Sequence, residues 1–263
     1  LLHAHFVRST AAHGEILSID VDDARSMPGV VAVYTSADLG LEDRPPAMGF
    51  YASEAVRPFL ARDRVRFVGE PVAVVVAETA YQAADAAEAV WADVAPLTAV
   101  VSLDDAVAAE TVLFEARDDN VMWQIPSAGA IDFSGCEVVV TEDLWNSRVA
   151  SVSIEPRVVA ASFADGKLTF WASSQGTHDF RDGAVKCLGM DPSEVRVLVK
   201  DIGGGFGAKG MVSEEEVIVG QISRLIGRPV RWVESRTENL SAFVHGRAQA
   251  QTVTIGGTRE GRV

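Results

Sequence analysis

The chain has 263 residues, of which 48% are hydrophobic and 23% charged, a balance that is typical of folded domains and excludes a disordered protein. Its net charge of −14, from 23 basic and 37 acidic residues, excludes the basic surface that nucleic-acid-binding proteins need. The length suits two domains of ordinary size, and the sequence contains no apolar stretch long enough to span a membrane.

The two cysteines, Cys136 and Cys187, lie in no CxxC or Cys/His pattern, so we expect no metal site built from protein side chains. Isolated thiols are typical of a reducing compartment, and with no signal peptide in view we expect a cytoplasmic protein. The chain starts at Leu1 within a predicted strand and stops at Val263 shortly after two glycines, so both ends have the character of cuts. A periplasmic location therefore stays open.

Three stretches of the first half have the residue patterns of strands. Mostly apolar residues predict strands over Glu15–Val21 and 30–35, and Pro28-Gly29 predicts a turn before the second of them. The unbroken apolar run Pro71–Ala77 predicts a strand that is buried on both faces. A polar, proline-rich stretch over Asp43–Met48 is expected to be a loop.

A helix is predicted directly after the buried strand. Thr79 and Gln82 form a capping box, and apolar residues follow at helical spacing. We therefore expect an amphipathic helix over Thr79–Ala92. A strand over Leu97–Val101 is then expected to complete the first unit.

The composition changes between Arg117 and Gly135, where aspartate, asparagine, proline and glycine interrupt the apolar pattern. We interpret this stretch as a linker. The sequence therefore predicts a first domain over residues 1–117, a linker over 118–135 and a second domain over 136–263.

The second domain is expected to mix strands and helices. Predicted strands cover 136–145, 151–164, 167–173, 194–199, 229–234 and 247–255, and predicted helices cover 177–188 and 213–226. Asp165-Gly166 is a hairpin signal between two of these strands. Thr177 is a candidate N-cap and Gly189 a candidate C-cap. Ser213 and Glu216 form a second capping box.

The most informative segment is VRVLVKDIGGGFGAKG, which covers residues 195–210. Four glycines fall within five positions, at Gly203, Gly204, Gly205 and Gly207. Glycine accepts a positive φ and carries no Cβ, so such a loop turns sharply and brings backbone N–H groups against a ligand. The capped helix that follows is expected to point its positive end at the same region. An anionic cofactor suits this geometry.

Two other interpretations of the loop stay open on pattern alone. The first is a structural turn between a strand and a helix, although four glycines exceed what a turn needs. The second is a dinucleotide-binding Rossmann turn, since Gly203, Gly205 and Ala208 satisfy G-x-G-x-x-A. Its ribose-binding acid would be Glu234, which lies about thirty residues on rather than the usual ~20. A P-loop is excluded because Gly210 follows the loop lysine.

The loop GGGFGAKG resembles the first cofactor loop of the molybdenum hydroxylases, the family of xanthine dehydrogenase, aldehyde oxidase and carbon monoxide dehydrogenase. Other segments are similar to that family, in the same order along nearly the whole chain. They are LLHAHFVRSTAAHGEILSIDV, MPGVVAVYTSADL and VGEPVAVVVAET in the first half, and IEPR, WASSQGTH, RPVRWVESRTENL and HGR in the second. Several linked motifs are far more specific than any one of them.

The resemblance implies a large, molybdopterin-binding subunit of which this chain is a fragment. The implied fold class is α+β (α/β), with an α/β hammerhead domain followed by the first part of the molybdopterin-binding domain. The implied activity is hydroxylation of aldehydes or N-heterocycles with water-derived oxygen. Electrons would pass to [2Fe-2S] clusters and FAD on an iron–sulfur subunit and an FAD subunit, in a dimer of heterotrimers. The resemblance suggests the cytosine dinucleotide form of the molybdenum cofactor.

By resemblance, Gln175 would lie beside the molybdenum ligands, with its amide donating to an oxo group. Gly204 and Gly205 would let the backbone approach the cofactor, and Phe206 and Gly207 would contact its metal end. These five residues are the candidate cofactor-binding site, and none is expected to ligate the metal directly. The catalytic base, a glutamate in the family, is expected downstream of the last residue. The chain alone is therefore expected to have no turnover.

Three polar residues near these motifs have ordinary interpretations. Lys209 has no assigned role, since a single lysine is usually a solvated charge. His178 is expected to be a surface or capping residue in a first helical turn. Glu155 matches a family position and is equally suited to be a structural hydrogen-bond acceptor.

Gly210 stands where purine-oxidising members carry a glutamate, so the resemblance favours aldehydes or small heterocycles over xanthine. The cysteine-containing loop of members that oxidise carbon monoxide does not appear in the sequence. Two alternative functions stay open at this point. One is an NAD-dependent dehydrogenase that uses the Gly203–Gly207 loop as a Rossmann turn, and the other is a scaffold subunit that has lost the metal.

Overall fold

A computed structural model describes residues 1–44, 46 and 48–263. The first half contributes strands β1 (Leu2–Arg8), β2 (Gly14–Asp20), β3 (Val30–Tyr34), β4 (Arg64–Val65), β5 (Pro71–Ala77) and β6 (Trp91–Pro96), and helices α1 (Asp22–Ser26), α2 (Ser36–Leu39), α3 (Ala80–Ala87) and α4 (Leu103–Ala108). The second half contributes strands β7 (Val138–Ala150), β8 (Val158–Ala164), β9 (Lys167–Ala172), β10 (Val195–Leu198), β11 (Val230–Val233) and β12 (His245–Gly257), and helices α5 (Thr177–Leu188), α6 (Glu214–Ile226) and α7 (Arg236–Ser241).

One seven-stranded sheet runs through both halves of the chain, in the order β10-β9-β8-β11-β1-β5-β3. β1 joins the halves, because it lies parallel to β11, with Leu2 opposite Val230, and antiparallel to β5. A three-stranded sheet, β4-β2-β6, belongs to the first half. The mixture of helices and strands is the predicted α+β class, and the division into domains at 1–117 and 136–263 stays a prediction.

The core forms around β5, and every residue of this strand is buried, as predicted. Val74 and Val76 belong to the largest apolar cluster, which extends to β11 and α6. Ala73 and Val75 belong to a second cluster on the other face, under α1 and α3. Because side chains alternate along a strand, a strand between two helical layers has to be apolar at every position.

The predicted helix over Thr79–Ala92 is right at its start and wrong at its end. Thr79 is the N-cap, since its hydroxyl oxygen accepts the N–H of Gln82 at 3.2 Å. The helix stops at Ala87, and Trp91–Pro96 forms β6 rather than the last turn. The strand predicted over Leu97–Val101 is therefore found earlier in the chain, at β6. The reason is pairing of β6 with β2, a contact between distant segments that overrides local helix propensity.

One strand of the second half also begins later than predicted. β8 starts at Val158, so the strand predicted over 151–164 is too long. Residues 151–157 turn instead toward the glycine loop, where the N–H of Glu155 donates to the carbonyl of Gly203 at 3.2 Å. The predicted hairpin is confirmed, with positive φ at Asp165 and Gly166.

The predicted helix over 177–188 is confirmed, although Gly176 rather than Thr177 is its N-cap, and Gly189 ends it in the left-handed conformation. β7 and β12 form a separate two-stranded ribbon that starts with Val138 opposite Gly257. The loop predicted over Asp43–Met48 includes Pro45 and Ala47, which lie outside the described residues. In the parts of the chain that the structure describes, no helix combines the length and apolarity needed to cross a bilayer.

Candidate functional site

The glycine loop connects β10 to the segment before α6 and turns by left-handed backbone conformations. φ is +98° at Gly204, +53° at Phe206 and +88° at Gly207. A phenylalanine in this region is uncommon, because its Cβ crowds the following carbonyl. Such strain persists where the surrounding structure imposes it, often at a binding site. In this left-handed conformation the Phe206 side chain faces outward, and the residue is 74% exposed.

Gln175, at the end of the segment after β9, lies against this loop. Its side-chain oxygen Oε1 accepts the N–H of Gly207 at 2.9 Å and the N–H of Lys209 at 3.2 Å. Since the oxygen faces two donors, the amide nitrogen Nε2 is the end that points away from the loop. Nε2 donates to no protein group among the described residues, and Gln175 is exposed. The arrangement leaves an exposed N–H₂ donor that is available to a ligand.

Two of the four glycines are needed for packing. A Cβ at Gly205 would lie 2.5 Å from Gln175 Cγ, and a Cβ at Gly203 would lie 2.5 Å from Glu155 Cβ. Gly204 and Gly207 have positive φ, so the turn itself requires them. The structure thus brings Gln175 and the whole loop together, but the close approach at Gly205 is to a protein side chain.

Three consecutive backbone N–H groups of the loop, at Gly204, Gly205 and Phe206, donate to no protein acceptor within the described ranges. Consecutive N–H groups in a loop with left-handed residues form a concave site that attracts anions. Together with Gln175 Nε2 they give the loop at least four donors, while the carboxylate of Glu155 accepts the adjacent N–H of Gly203. This is the donor set that an anionic, oxo-bearing group needs.

Lys209 is buried, with 3% of its surface exposed, so the expectation of a solvated charge is wrong. Its Nζ donates to the carbonyl of Glu155 at 2.7 Å and to Ser173 Oγ at 2.8 Å. Burial lowers the pKa of Lys209, and the nearby carboxylate of Glu155, at 3.7 Å, opposes this. Glu155 itself accepts the N–H of Gly203, which supports the interpretation of a structural acceptor. His178 is exposed in the first turn of α5, as expected.

The N-terminus of α6 does not serve the loop in the expected way. Its first turn carries Glu214, Glu215 and Glu216, and the negative charges of Glu214 and Glu215 already compensate the positive end of the helix dipole. Arg44 and Arg57 pair with Glu214 on the side of the first half. The donors available to an anion are therefore those of the loop and not those of the helix.

Glu216, in the first turn of α6, makes the stability of the folded state depend on pH. Burial raises its pKa to about 7, although it accepts the N–H of Ser213 at 2.7 Å. The folded state holds this proton more tightly than the unfolded chain, so stability is present at low pH and declines as pH rises toward 7.

We expect Glu216→Gln, which keeps an acceptor and removes the titration, to flatten that decline. The free energy of unfolding of the wild type relative to the variant should fall by on the order of 1–3 kcal/mol from acidic to mildly alkaline pH. Urea denaturation across this pH range measures the difference. The matched control is Glu142→Gln at an exposed position of β7. Parallel pH profiles for wild type and Glu216→Gln would contradict the assignment.

A buried ion network lies behind the loop and connects the halves. Arg157 and Arg8 each hold Glu215 at 2.9 Å, and Arg157 also holds Glu234 at 2.6 Å. Burial alone would raise the pKa of Glu215, but the two arginines hold it well below its usual range. Glu234 is 2% exposed and fully engaged, so it cannot bind a ribose hydroxyl. β10 and β11 are also separated by β9 and β8, unlike adjacent strands of a Rossmann unit.

A cavity of about 820 Å³ lies beside the loop. Gly207, Ala208 and Met211 contribute to its wall on the loop side. The rest of the lining is rich in aromatic rings and arginines, among them Tyr51, Phe67, Phe114, Phe243, Arg66 and Arg148. No local sequence pattern indicates this cavity, because its walls come from segments far apart in the chain. Aromatic, mostly apolar walls suit a planar organic molecule.

The described residues contain no group of three or more His, Cys, Asp or Glu side chains placed to hold a metal ion. The loop and Gln175 thus provide hydrogen-bond donors and a ring surface, but no ligating cluster.

Comparison with known families gives two matches that together cover most of the chain. Residues 113–263 match the molybdopterin cofactor-binding domain. Residues 1–98 match the aldehyde oxidase and xanthine dehydrogenase a/b hammerhead domain. The glycine loop and Gln175 both fall within the first of these matches.

Curated relatives are similar over the whole chain. The nicotine 6-hydroxylase large subunit of Paenarthrobacter nicotinovorans is 39% identical over 272 residues, which cover 100% of this chain and 33% of that protein. The carbon monoxide dehydrogenase large chain of Afipia carboxidovorans is 33% identical over 284 residues, which cover 100% of this chain and 35% of that protein. The chain thus spans about a third of the length of these two relatives.

Solved structures have the same fold. Quinoline 2-oxidoreductase from Pseudomonas putida 86 superposes with a TM-score of 0.89 at 32% identity, over 98% of this chain and 34% of that chain. Aldehyde oxidoreductase from Desulfovibrio gigas gives a TM-score of 0.90 at 26% identity, over 99% of this chain and 30% of that chain. The hammerhead arrangement followed by a cofactor-domain segment is therefore the architecture of this chain.

Proposed function

Because the chain belongs to the molybdopterin cofactor-binding domain family, preceded by a hammerhead domain of the aldehyde oxidase and xanthine dehydrogenase type, we propose that it binds a molybdopterin cofactor at the glycine loop. It would do so as part of the large subunit of a molybdenum hydroxylase. The observation that carries this proposal is the contact of Gln175 Oε1 with the N–H groups of Gly207 and Lys209, which leaves the amide N–H₂ free to donate.

The residues present fit such a group. The N–H groups of Gly204, Gly205 and Phe206, which have no protein acceptor among the described residues, would donate to negatively charged oxygens. Gln175 Nε2 would donate to an oxygen at the metal end. The outward ring of Phe206 would cover that end and exclude water. Gly207, in its left-handed conformation, would keep the backbone close to it.

When bound, the cofactor supplies a molybdenum centre that takes two electrons from a substrate C–H bond and delivers oxygen derived from water. The chain's own part is to orient that centre through Gln175 and the loop, and to hold the substrate in the adjacent cavity. The base that the reaction needs is proposed to lie downstream of the last residue. We therefore propose that this chain alone has no turnover.

We propose aldehydes or N-heterocycles as substrates. The aromatic lining of the cavity supports planar molecules, and the absence of a carboxylate at Gly210 argues against purines. Nicotine 6-hydroxylase and quinoline 2-oxidoreductase, both named for N-heterocycles, are among the similar proteins. The alternatives of an NAD-dependent dehydrogenase and of a metal-free scaffold find no support, since Glu234 is bound to Arg157 and the loop donors are intact.

The remaining proposals concern partners and cofactor form. Relatives named as a large chain or as a subunit of a complex support a multi-subunit assembly. We propose an iron–sulfur subunit and an FAD subunit as partners, with [2Fe-2S] clusters and FAD as electron carriers, in a dimer of heterotrimers. The cytosine dinucleotide form of the cofactor and a cytoplasmic location are part of the same proposal.

The test is metal and pterin analysis of the protein purified with its natural partners. We expect molybdenum and pterin in equal amounts, and oxidation of benzaldehyde or quinoline with oxygen from labelled water. Gln175→Ala is expected to lower this turnover by roughly 10–100-fold, because outer partners of a metal centre typically have effects of this size. Gln251→Ala, exposed on β12, is the matched control. Protein that contains neither molybdenum nor pterin would refute the proposed function.

A further inference from the structure

Lys209 is the one lysine among the described residues that is buried, and the proposed function gives it no task. Moving an ammonium group out of water is costly unless it is fully hydrogen-bonded. Burial lowers the pKa of Lys209, which is the sign of that cost. A charged side chain kept in this position two residues after the loop calls for a specific role.

The contacts of Lys209 connect three separate segments of the chain. Nζ donates to the carbonyl of Glu155, in the irregular stretch before β8, at 2.7 Å. It also donates to Ser173 Oγ, just after β9, at 2.8 Å. Through these two bonds the Lys209 side chain holds the glycine loop against the segments that contain Glu155 and Ser173.

The backbone of Lys209 is hydrogen-bonded to Gln175. Its N–H donates to Gln175 Oε1 at 3.2 Å, and its carbonyl accepts the N–H of Gln175 at 2.9 Å. The carbonyl also accepts Ser174 Oγ at 3.2 Å. The same residue therefore holds both the backbone and the side chain of Gln175.

We propose that Lys209 is a positioning residue that clamps the glycine loop to the segment Ser173–Gln175 and so fixes the direction in which the Gln175 amide donates. The inference rests on the proposed function for the identity of the ligand, a molybdopterin. The clamp itself is a property of this chain. Without Nζ, Glu155 and Ser173 lose their shared donor, and the loop is free to separate from Gln175.

The experiment compares Lys209→Met with Lys200→Met, an exposed lysine at the start of the same loop. Hydrogen exchange of the amides of Gly207 and Lys209 is followed in the purified protein. Both N–H groups are bound to Gln175 Oε1, so they report the contact directly. Lys209→Met is expected to speed their exchange by roughly tenfold or more, because bonds from charged donors are the stronger ones. Lys200→Met should leave it unchanged.

Molybdenum and pterin per folded chain are measured on the same samples purified with their partners. A roughly tenfold loss is expected for Lys209→Met, the size typical of outer residues that orient a metal site. If Lys209→Met loses the folded state and exchanges faster throughout the chain, the proposal is tested with Ser173→Ala instead. That variant removes one acceptor only and should show a smaller, still local, increase in exchange.

Unchanged exchange of the Gly207 and residue-209 amides in Lys209→Met and in Ser173→Ala would overturn the clamp. Faster local exchange with full cofactor content would overturn its role toward the cofactor. Wild-type protein without any molybdenum or pterin would refute the proposed function instead, and the exchange measurement would still decide whether Lys209 holds Gln175.

Discussion

Replacing Arg157 by methionine is expected to lower the free energy of unfolding by about 3–5 kcal/mol, the cost typical of breaking a buried ion pair from one side. Arg157 binds Glu215 at 2.9 Å and Glu234 at 2.6 Å, and all three residues are buried. Its guanidinium also stacks on Phe243, 4.1 Å from the ring centroid. Removing it leaves two carboxylates in the interior with too few partners.

Urea denaturation at neutral pH measures this loss. The matched control is Arg181→Met, which removes an arginine paired with Asp182 at the surface, where the two side chains are 36% and 66% exposed. An exposed pair contributes about 0–1 kcal/mol, so the control should be nearly neutral. Equal losses in the two variants would show that the buried network contributes no more than a surface pair.

The pH dependence of this network follows from the lowered pKa of Glu215. A carboxyl whose folded pKa is depressed stabilises the fold above its unfolded pKa, and this stabilisation is lost as pH falls. In Arg157→Met the depression weakens, so the acid-induced loss of stability should become shallower. This decline at low pH is opposite in sign to the one that Glu216 causes as pH rises.

Gly205→Ala is expected to reduce turnover of the complete enzyme by roughly 100-fold, the effect of displacing a positioning group by about 1 Å. The new Cβ would lie 2.5 Å from Gln175 Cγ and Oε1, so the glutamine has to move. Its bonds to Gly207 and Lys209 then weaken, and the amide no longer points in one direction. The fold itself should lose about 1–3 kcal/mol, as in other cases of overpacking.

Turnover, molybdenum content and thermal unfolding of Gly205→Ala should be measured together with those of Gly135→Ala. Gly135 has open space around its Cβ position and no positive φ, so alanine should be tolerated there. A Gly205→Ala enzyme with wild-type turnover would mean that the orientation of Gln175 is irrelevant to the reaction.

Much of the secondary structure could be predicted because its signals are local. The unbroken apolar run of β5 and the capping residue Thr79 act over a few residues, and the structure confirms both. The Asp165-Gly166 turn is local in the same sense. The errors lie where a distant partner decides the conformation, as where β6 replaces the last turn of a predicted helix by pairing with β2.

The candidate site was predictable in its composition but not in its contacts. Four clustered glycines indicated a loop that approaches something closely, and the resemblance named Gln175. The sequence could not assign Gly203 and Gly205 to packing against Glu155 and Gln175, since this depends on folded geometry. The burial of Lys209 was invisible for the same reason, because its acceptors come from segments remote in the chain.

The arrangement of the seven-stranded sheet bears on the order in which the chain acquires structure during synthesis. β1 is made well before its parallel neighbour β11, which is complete only at Val233. The ribosome therefore has to deliver the whole stretch from β1 to β11 before β1 is paired on both edges. Until then one edge stays available to chaperones or to the wrong partner, and loop closure over so long a separation makes the last step slow.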